Sequence, residues 1–195
     1  VAGFLLAVLI AFVSGLPGLF LVFLFALLGS AASRIPGGTN HESRSAAHAF
    51  ANLGVPALCA CGSLFTQIDA PWRSMIAAAL AFGLSDTLAT EFGTRYGGAP
   101  RSVVTGKRVP AGTNGGVTFT GSLAGIAGAL FLALAAQGAR LLPDESWPSV
   151  AAAGIAGNLV DSILGATIES RGLIGNHAVN FLAALSATGI LLLFR

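Results

Sequence analysis

The chain has 195 residues, of which 54% are hydrophobic and only 9% are charged. A soluble domain carries about 25% charged residues, so this composition excludes a water-exposed globular surface and predicts an integral membrane protein. The net charge of +2 is too small to favour nucleic-acid binding, and the length suits one bundle over residues 1–195 rather than two domains.

Apolar runs bounded by turn or charge signals predict seven helical segments. They are A (1–14), B (18–33), C (45–66), D (72–93), E (115–137), F (148–169) and G (176–194). The stretch "GLPG" predicts a turn between A and B. Segment A is short for a membrane span, which needs about 20 residues. The predicted fold is therefore an all-α polytopic transmembrane bundle of six or seven spans.

Basic residues are distributed unevenly between the predicted loops. The B–C, D–E and F–G loops lie on one side of the bundle and hold seven of the ten lysines and arginines. The positive-inside rule places this side in the cytoplasm, which in a prokaryote means an inner or plasma membrane protein. With seven spans, the N-terminus lies inside and the C-terminus outside.

Polar side chains within the spans cluster in the cytoplasmic half. They are Asn52 on C, Asp86 and Glu91 on D, Asn158, Asp161, Ser162 and Glu169 on F, and Asn176 and Asn180 on G. A pore carries polar groups along its full length, and a transporter site lies nearer the midplane. This one-sided bowl instead favours an enzyme that takes a soluble substrate from the cytoplasm and a lipid from the bilayer.

The acids in this bowl predict a bound cation. Segments D and F end at the cytoplasmic side, where the helix dipole is negative. Four acids nevertheless lie there: Asp86, Glu91, Asp161 and Glu169. Partly buried acids repel one another unless some are protonated or a cation neutralises them. Mg²⁺ is expected, because it takes oxygen ligands and binds phosphates; pairing with basic loop residues is the alternative.

The D–E loop combines basic residues with a glycine cluster. The basic residues are Arg95, Arg101, Lys107 and Arg108, and the cluster "GTNGG" comprises Gly112, Thr113, Asn114, Gly115 and Gly116. Glycines let the backbone approach a ligand, and a helix N-terminus binds anions. The loop therefore predicts a phosphate cradle at the start of segment E, although it is not a Walker A motif. Carboxylates, a metal and such a loop suit phosphoryl or nucleotidyl transfer.

Small residues also recur at the spacing that brings membrane helices together. Gly121, Gly125 and Ala129 in segment E follow this spacing, which lets helix backbones approach closely in a bilayer. Tight packing within the bundle is expected for most of these residues. A homodimer interface is the alternative.

Four motifs carry a resemblance to a known family. They are "LSDTLATEFG", "GTNGGVTFTGSLAG", "GNLVDSILGAT" and "NHAVNF". In order and spacing they resemble the integral-membrane phytyl-phosphate kinases, which include transmembrane protein 19, over about residues 19–194. They are more distantly similar to CTP-dependent phytol and dolichol kinases and to phosphatidate cytidylyltransferases. The resemblance implies a kinase that moves the γ-phosphate of a nucleoside triphosphate, with CTP as the expected donor, to a prenyl monophosphate such as phytyl or geranylgeranyl phosphate.

The residue patterns and this resemblance together assign roles to individual residues. Asp86 and Asp161, supported by Glu91, are the expected metal ligands. The nucleotide is assigned to Arg95, Arg101, Lys107, Arg108, Gly112, Thr113, Asn114, Gly115 and Gly116, and the substrate phosphate to Arg44, Asn176 and Ser162. Asn52, Asn158 and Asn180 complete the catalytic set. In "RSAAHAFANLG", His48 and Leu53 stand where the family pattern has Gln and Gly.

Two other activities are compatible with the same residues. A CTP-dependent cytidylyltransferase would make a CDP-lipid and release pyrophosphate rather than CDP. A small-solute or lipid transporter would place polar groups in the outer half of the bilayer as well, where these segments are apolar.

Overall fold

The computed structural model describes residues 1–34, 46–65, 71–143 and 145–194. Within these ranges lie the long helices α1 (Ala2–Ala32), α2 (Ala46–Phe65), α3 (Trp72–Tyr96), α4 (Phe119–Gly138), α5 (Trp147–Thr167) and α6 (Asn176–Leu191). All 6 are long and apolar enough to cross a membrane. The predicted all-α polytopic bundle is thereby confirmed, with α1 in the place of segments A and B.

The two ends of α1 lie on the same side of the bundle. A Cβ atom added at Gly3 would lie 3.5 Å from the Cβ of Ala49, and one added at Gly29 would lie 3.8 Å from the methyl group of Thr87. Ala49 and Thr87 line the same end of the bundle, on the antiparallel helices α2 and α3. In a straight helix, Gly3 and Gly29 would be about 39 Å apart at 1.5 Å per residue. α1 therefore doubles back at Gly15, whose φ of 66° and ψ of −159° are not helical.

This doubled-back helix determines where the termini lie. The N-terminus shares one side with the ends of α1, α3 and α5, and that side is termed the basic face after the loops predicted to carry most of the basic residues. The last turn of α6 lies on the opposite face. The termini are thus on opposite sides, as the sequence predicts, and a cytoplasmic location of the basic face stays a prediction.

α3 is the central helix of the bundle. Its residues from Ile76 to Leu84 are buried, among them four alanines and Phe82. A helix that is apolar all round is buried on all sides, and α3 packs against each of the other five long helices. Asp86 and Glu91 follow this buried run on the same helix. The central position of α3 therefore carries both acids into the middle of the bundle near the basic face.

The small residues of α4 pack within this chain. A Cβ atom added at Gly121 would lie 2.6 Å from the carbonyl oxygen of Ala89, and one added at Gly125 would lie 3.0 Å from that of Ser85. Ala129 is fully buried. α4 thus approaches the backbone of α3 closely, as small-residue spacing allows. The predicted close packing is confirmed here, and a homodimer stays a prediction.

The loop between α3 and α4 is ordered by two short antiparallel strands, β1 (Arg101–Ser102) and β2 (Gly116–Val117). The prediction that a helix begins at residue 115 is wrong, because Gly115 has a φ of 70° and the next two residues pair with β1. α4 begins at Phe119, after Thr118, whose Oγ1 accepts a hydrogen bond from the N–H of Gly121 at 3.0 Å. Short 3₁₀ turns follow α5 (Glu169–Arg171) and α6 (Leu192–Phe194).

Candidate active site

A cavity of about 1930 Å³ opens on the basic face. Its wall is built by both ends of α1, the first turns of α2, α4 and α6, and the last turns of α3 and α5. Among the described residues, none in the far halves of α2, α3, α4 or α6 lines it, and Ile155 on α5 marks its mid-bundle depth. The one-sided polar bowl predicted from the sequence corresponds to this cavity.

The cavity collects most of the predicted site residues. Its lining includes Asn52, Asp86, Glu91, Gly112, Thr113, Asn114, Gly115, Gly116, Asn158, Asp161, Ser162, Asn176 and Asn180. Four predicted nucleotide-binding residues are exposed and do not line it: Arg95, Arg101, Lys107 and Arg108. The predicted phosphate ligand Arg44 lies outside the described residues.

Three acids in the cavity act on one another electrostatically. They are Asp86 on α3, Asp161 on α5 and Glu169 in the 3₁₀ turn after α5, and the charge of each interacts with the other two. Glu169 is absent from the predicted metal ligands, although it follows Asp161 by eight residues, a spacing that shares a helix face. Glu91 is buried in the cavity wall, with only 4% of its surface exposed.

The three acids supply ligands of the chemical type that Mg²⁺ takes. Mg²⁺ takes oxygen ligands and is usually held by one or two carboxylates together with phosphates and water. In the described part of the chain, no three His, Cys, Asp or Glu side chains converge closely enough to hold a metal ion by themselves. Magnesium binding at Asp86 and Asp161 therefore stays a prediction.

One asparagine side chain contacts an acid, and another joins the two helices that carry Asp86 and Asp161. With its amide nitrogen turned toward the acceptors, Asn180 donates to Oδ1 of Asp161 and to the carbonyl oxygen of Asn176, both at 3.1 Å. Asn158 donates from Nδ2 to Oγ of Ser85 at 2.9 Å and so ties α5 to the turn of α3 that carries the first acid. Partners of this kind orient carboxylate ligands around a metal.

The glycine cluster docks directly on the backbone of α5, beside the acids. A Cβ atom added at Gly115 would lie 2.5 Å from the carbonyl oxygen of Ser162 and would overlap Ala166. At Gly165 on the facing turn, an added Cβ would lie 3.0 Å from the nitrogen of Gly115. Within the described residues, the backbone N–H groups of Asn114 and Gly115 donate no hydrogen bond. Such N–H groups in a turn can bind an anion.

Two basic residues near the glycine cluster make contacts outside the cavity. Arg101 donates from Nη1 to the carbonyl oxygen of Gly106 at 2.9 Å, and the guanidinium of Arg95 lies 5.7 Å from the ring centre of Tyr96. Arg34, at the end of α1, lines the cavity instead and was not among the predicted site residues. A role of the loop cations in holding a triphosphate stays a prediction.

The sequence matches the family model described as integral membrane protein DUF92 over residues 1–188. It is 32% identical over 179 residues to an uncharacterized membrane protein of Methanocaldococcus jannaschii, covering 88% of this chain and 73% of the relative. It is 34% identical over 202 residues to one of Synechocystis, covering 95% and 78%. It is 30% identical over 188 residues to the chloroplastic protein VTE6 of Arabidopsis thaliana, covering 87% and 55%. No solved structure matches it. The chain belongs to the DUF92 family of integral membrane proteins.

Proposed function

We propose that this protein is a Mg²⁺-dependent phosphotransferase that moves the γ-phosphate of a nucleoside triphosphate, CTP above all, to a prenyl monophosphate. The observation that carries the proposal is the docking of the glycine cluster on α5 beside Asp161 and Glu169. It sets an anion-binding backbone next to acids that suit a metal, and phosphoryl transfer depends on such positioning and charge neutralisation. The motif resemblance to phytyl-phosphate kinases supports the same reaction and suggests phytyl or geranylgeranyl phosphate as acceptor.

The cavity residues divide the work of this reaction. Asp86, Asp161 and Glu169 would hold Mg²⁺, which neutralises charge on the donor phosphates when bound. The N–H groups of Asn114 and Gly115 bind phosphate oxygens of the donor. The acceptor is an ionised phosphate monoester, so no side chain has to remove a proton. One of its oxygens attacks the γ-phosphorus, the bond to the β-phosphate oxygen breaks, and the nucleoside diphosphate leaves.

The cavity wall also supports a lipid acceptor. Ile126 on α4 and Leu159 on α5 line the cavity and are 38% and 53% exposed. These apolar side chains would give a prenyl chain a surface to contact while its phosphate lies near the acids. A fully soluble acceptor would have no use for this apolar wall.

The decisive experiment follows the γ-phosphate. Purified protein in nanodiscs, given γ-labelled CTP, Mg²⁺ and geranylgeranyl phosphate, is expected to form labelled prenyl diphosphate and CDP. Asp161→Asn is expected to lower kcat at least about 100-fold, because it removes a carboxylate that neutralises the transition state through the metal. Glu145→Gln is the matched control, since Glu145 is an exposed acid in the loop between α4 and α5, away from the cavity.

Other outcomes would redirect the assignment. Release of pyrophosphate with formation of a CDP-lipid would identify a cytidylyltransferase that uses the same cavity. Flux of solute or lipid in liposomes without nucleotide would identify a transporter. Full activity in both Asp86→Asn and Asp161→Asn would refute the metal assignment.

A further inference from the structure

Two histidines meet on the wall of the cavity where α2 and α6 begin. The ring of His48 stands edge-on to the ring of His177, with ring centroids 5.0 Å apart and planes inclined by 73°. Both residues line the cavity. Neither has a role in the reaction as described above, although both share this cavity with the acids.

The environment of His177 indicates which of its nitrogens can bind a ligand. Its Nδ1 is buried and has no hydrogen-bond partner among the described residues. Because Nδ1 is buried, Nε2 is the ring nitrogen that can contact a ligand in the cavity. An imidazole can carry an N–H donor at that nitrogen.

One neighbouring amide links the α6 end of the histidine pair to an acid, and a second lies beside His48 on α2. Asn180, one turn after His177, donates to Asp161 Oδ1 at 3.1 Å. Asn52, one turn after His48, donates to the His48 carbonyl oxygen at 2.9 Å. The pair thus lies on the α2–α6 side of the acids, whereas the glycine cluster contacts α5 on the side of α4. The acids stand between two groups of nitrogen donors.

Hydrogen-bond donors, rather than net charge, favour an anion on the histidine side. Four acids line the cavity, and among the described lining residues the basic side chains are Arg34, His48 and His177. A phosphate near the acids requires N–H donors, because carboxylates can only accept hydrogen bonds when ionised. The glycine cluster supplies such donors on one side. The histidines supply them on the other.

We propose that His48 and His177 bind the phosphate group of the lipid acceptor, while the glycine cluster binds the phosphates of the donor nucleotide. This inference rests on the proposed function and deepens it, because it assigns the two substrates to opposite sides of the acids. It predicts that the pair recognises the phosphate monoester and contributes nothing to recognition of the prenyl chain or of the nucleotide.

The test compares a lipid with and without its phosphate. Binding of geranylgeranyl phosphate, geranylgeraniol and Mg²⁺–CTP is measured separately on the full chain in nanodiscs. His177→Leu is expected to weaken geranylgeranyl phosphate binding at least about tenfold, the effect of losing one hydrogen bond to a charged group. Affinity for the alcohol and for Mg²⁺–CTP is expected to change less than about twofold, since neither contacts the pair.

Variants at the second histidine separate hydrogen bonding from packing. His48→Leu is expected to lose affinity for the phosphate as His177→Leu does. His48→Gln keeps a side-chain N–H donor and is expected to recover the affinity to within about threefold of the wild type. Arg140→Gln is the matched control, because it removes an exposed cation from the loop between α4 and α5. His177→Met, which also lacks a side-chain N–H donor, replaces the leucine variant if the latter does not fold.

Three results would overturn the inference. These are equal losses for the phosphate and the alcohol, a loss confined to Mg²⁺–CTP, and equal affinity of the wild type for the phosphate and the alcohol. Because binding is measured without turnover, absence of transfer activity would refute the proposed function alone. Phosphate-selective loss in His177→Leu would still support the acceptor site.

Discussion

Replacing Gly115 by alanine tests whether the docked glycine cluster is the donor site. The residue has a φ of 70°, a left-handed conformation that costs an L-residue about 1–2 kcal/mol. The new Cβ would also lie 2.5 Å from both the carbonyl oxygen of Ser162 and the nitrogen of Ala166. These atoms belong to the backbone of α5 and cannot move aside, so overpacking adds about 1–3 kcal/mol. Together the two effects oppose docking by about 2–5 kcal/mol.

Gly106 provides the matched control for this substitution. Its φ of 68° imposes the same backbone strain, but no atom lies within 4 Å of an added Cβ. It also lies outside the cavity lining, beyond strand β1. Gly106→Ala therefore isolates the strain, and the difference between the two variants measures the close approach of the loop to α5.

The assay is calorimetric titration of Mg²⁺–CTP into the protein in nanodiscs. Because 1.4 kcal/mol corresponds to a tenfold change in an equilibrium constant, Gly115→Ala is expected to weaken nucleotide binding at least about tenfold. Gly106→Ala is expected to change it less than about threefold, since its strain is the same with and without nucleotide. If folded Gly115→Ala binds Mg²⁺–CTP as tightly as Gly106→Ala does, the docked loop is not the donor site.

Three further changes test other parts of the structure. The double variant Gly3→Cys with Ala49→Cys is expected to form a disulfide under mild oxidation, because the two Cβ positions lie 3.5 Å apart. The disulfide is detected as a shift in non-reducing gel electrophoresis, and its absence in folded protein would contradict a doubled-back α1. Asn180→Ala is expected to raise the Mg²⁺ concentration for half-maximal activity about 10–100-fold, because Asp161 loses an orienting amide. An unchanged Mg²⁺ requirement would show that Asn180 does not orient Asp161 for metal binding. Gly154→Val is expected to lower the free energy of unfolding, measured by detergent titration, by about 1–3 kcal/mol, because its Cβ would meet the α3 backbone at 3.1 Å. Unaltered stability would show that α3 and α5 can move apart at Gly154.

The helices could largely be predicted from the sequence, because the thickness of the bilayer determines how long an apolar segment must be to cross it. Segments C, D, F and G end within about three residues of α2, α3, α5 and α6. The turn after segment A could also be predicted, since Gly15 and Pro17 interrupt the run. Hydropathy does not show which neighbouring helix a segment packs against, however, so the contact of Gly3 with α2 is known only from the structure. The start of α4 differs because strand pairing at Gly116 competes with helix formation there.

The site could be predicted in part. Asp86 and Asp161 are recognisable because ionisable groups within apolar segments are costly and mark function. The sequence also places Glu169 among the acids of the bowl but not among the metal ligands. In the structure, the helix ends before Glu169 and a 3₁₀ turn carries it near the other acids. Directions of exposed side chains on a loop are not encoded locally, so Arg101 turns to Gly106 rather than to the cavity.

The contact between the two histidines could not be predicted from the sequence, because they belong to separate segments. His48 and His177 begin different helices, and only the packing of α2 against α6 brings their rings to 5.0 Å. Each residue alone is consistent with polar packing, as a lone histidine on an apolar helix usually is. Their shared position in the cavity wall, beside Asn180 and its contact with Asp161, is the basis for proposing a binding role rather than packing.

The charges in the cavity also constrain how two anionic substrates can meet. Two unit charges of the same sign about 4 Å apart repel by about 4 kcal/mol at an effective dielectric constant of 20, and Asp86, Asp161 and Glu169 all line the cavity proposed to hold the donor phosphates. A bare triphosphate would therefore be repelled, so on the proposed function the nucleotide enters as its Mg²⁺ complex. On the proposed acceptor site, the acceptor phosphate would approach the γ-phosphate from the α2–α6 side, past acids whose charge a bound Mg²⁺ would offset. Separate donor and acceptor sides would thus keep the two anions apart in the absence of the cation.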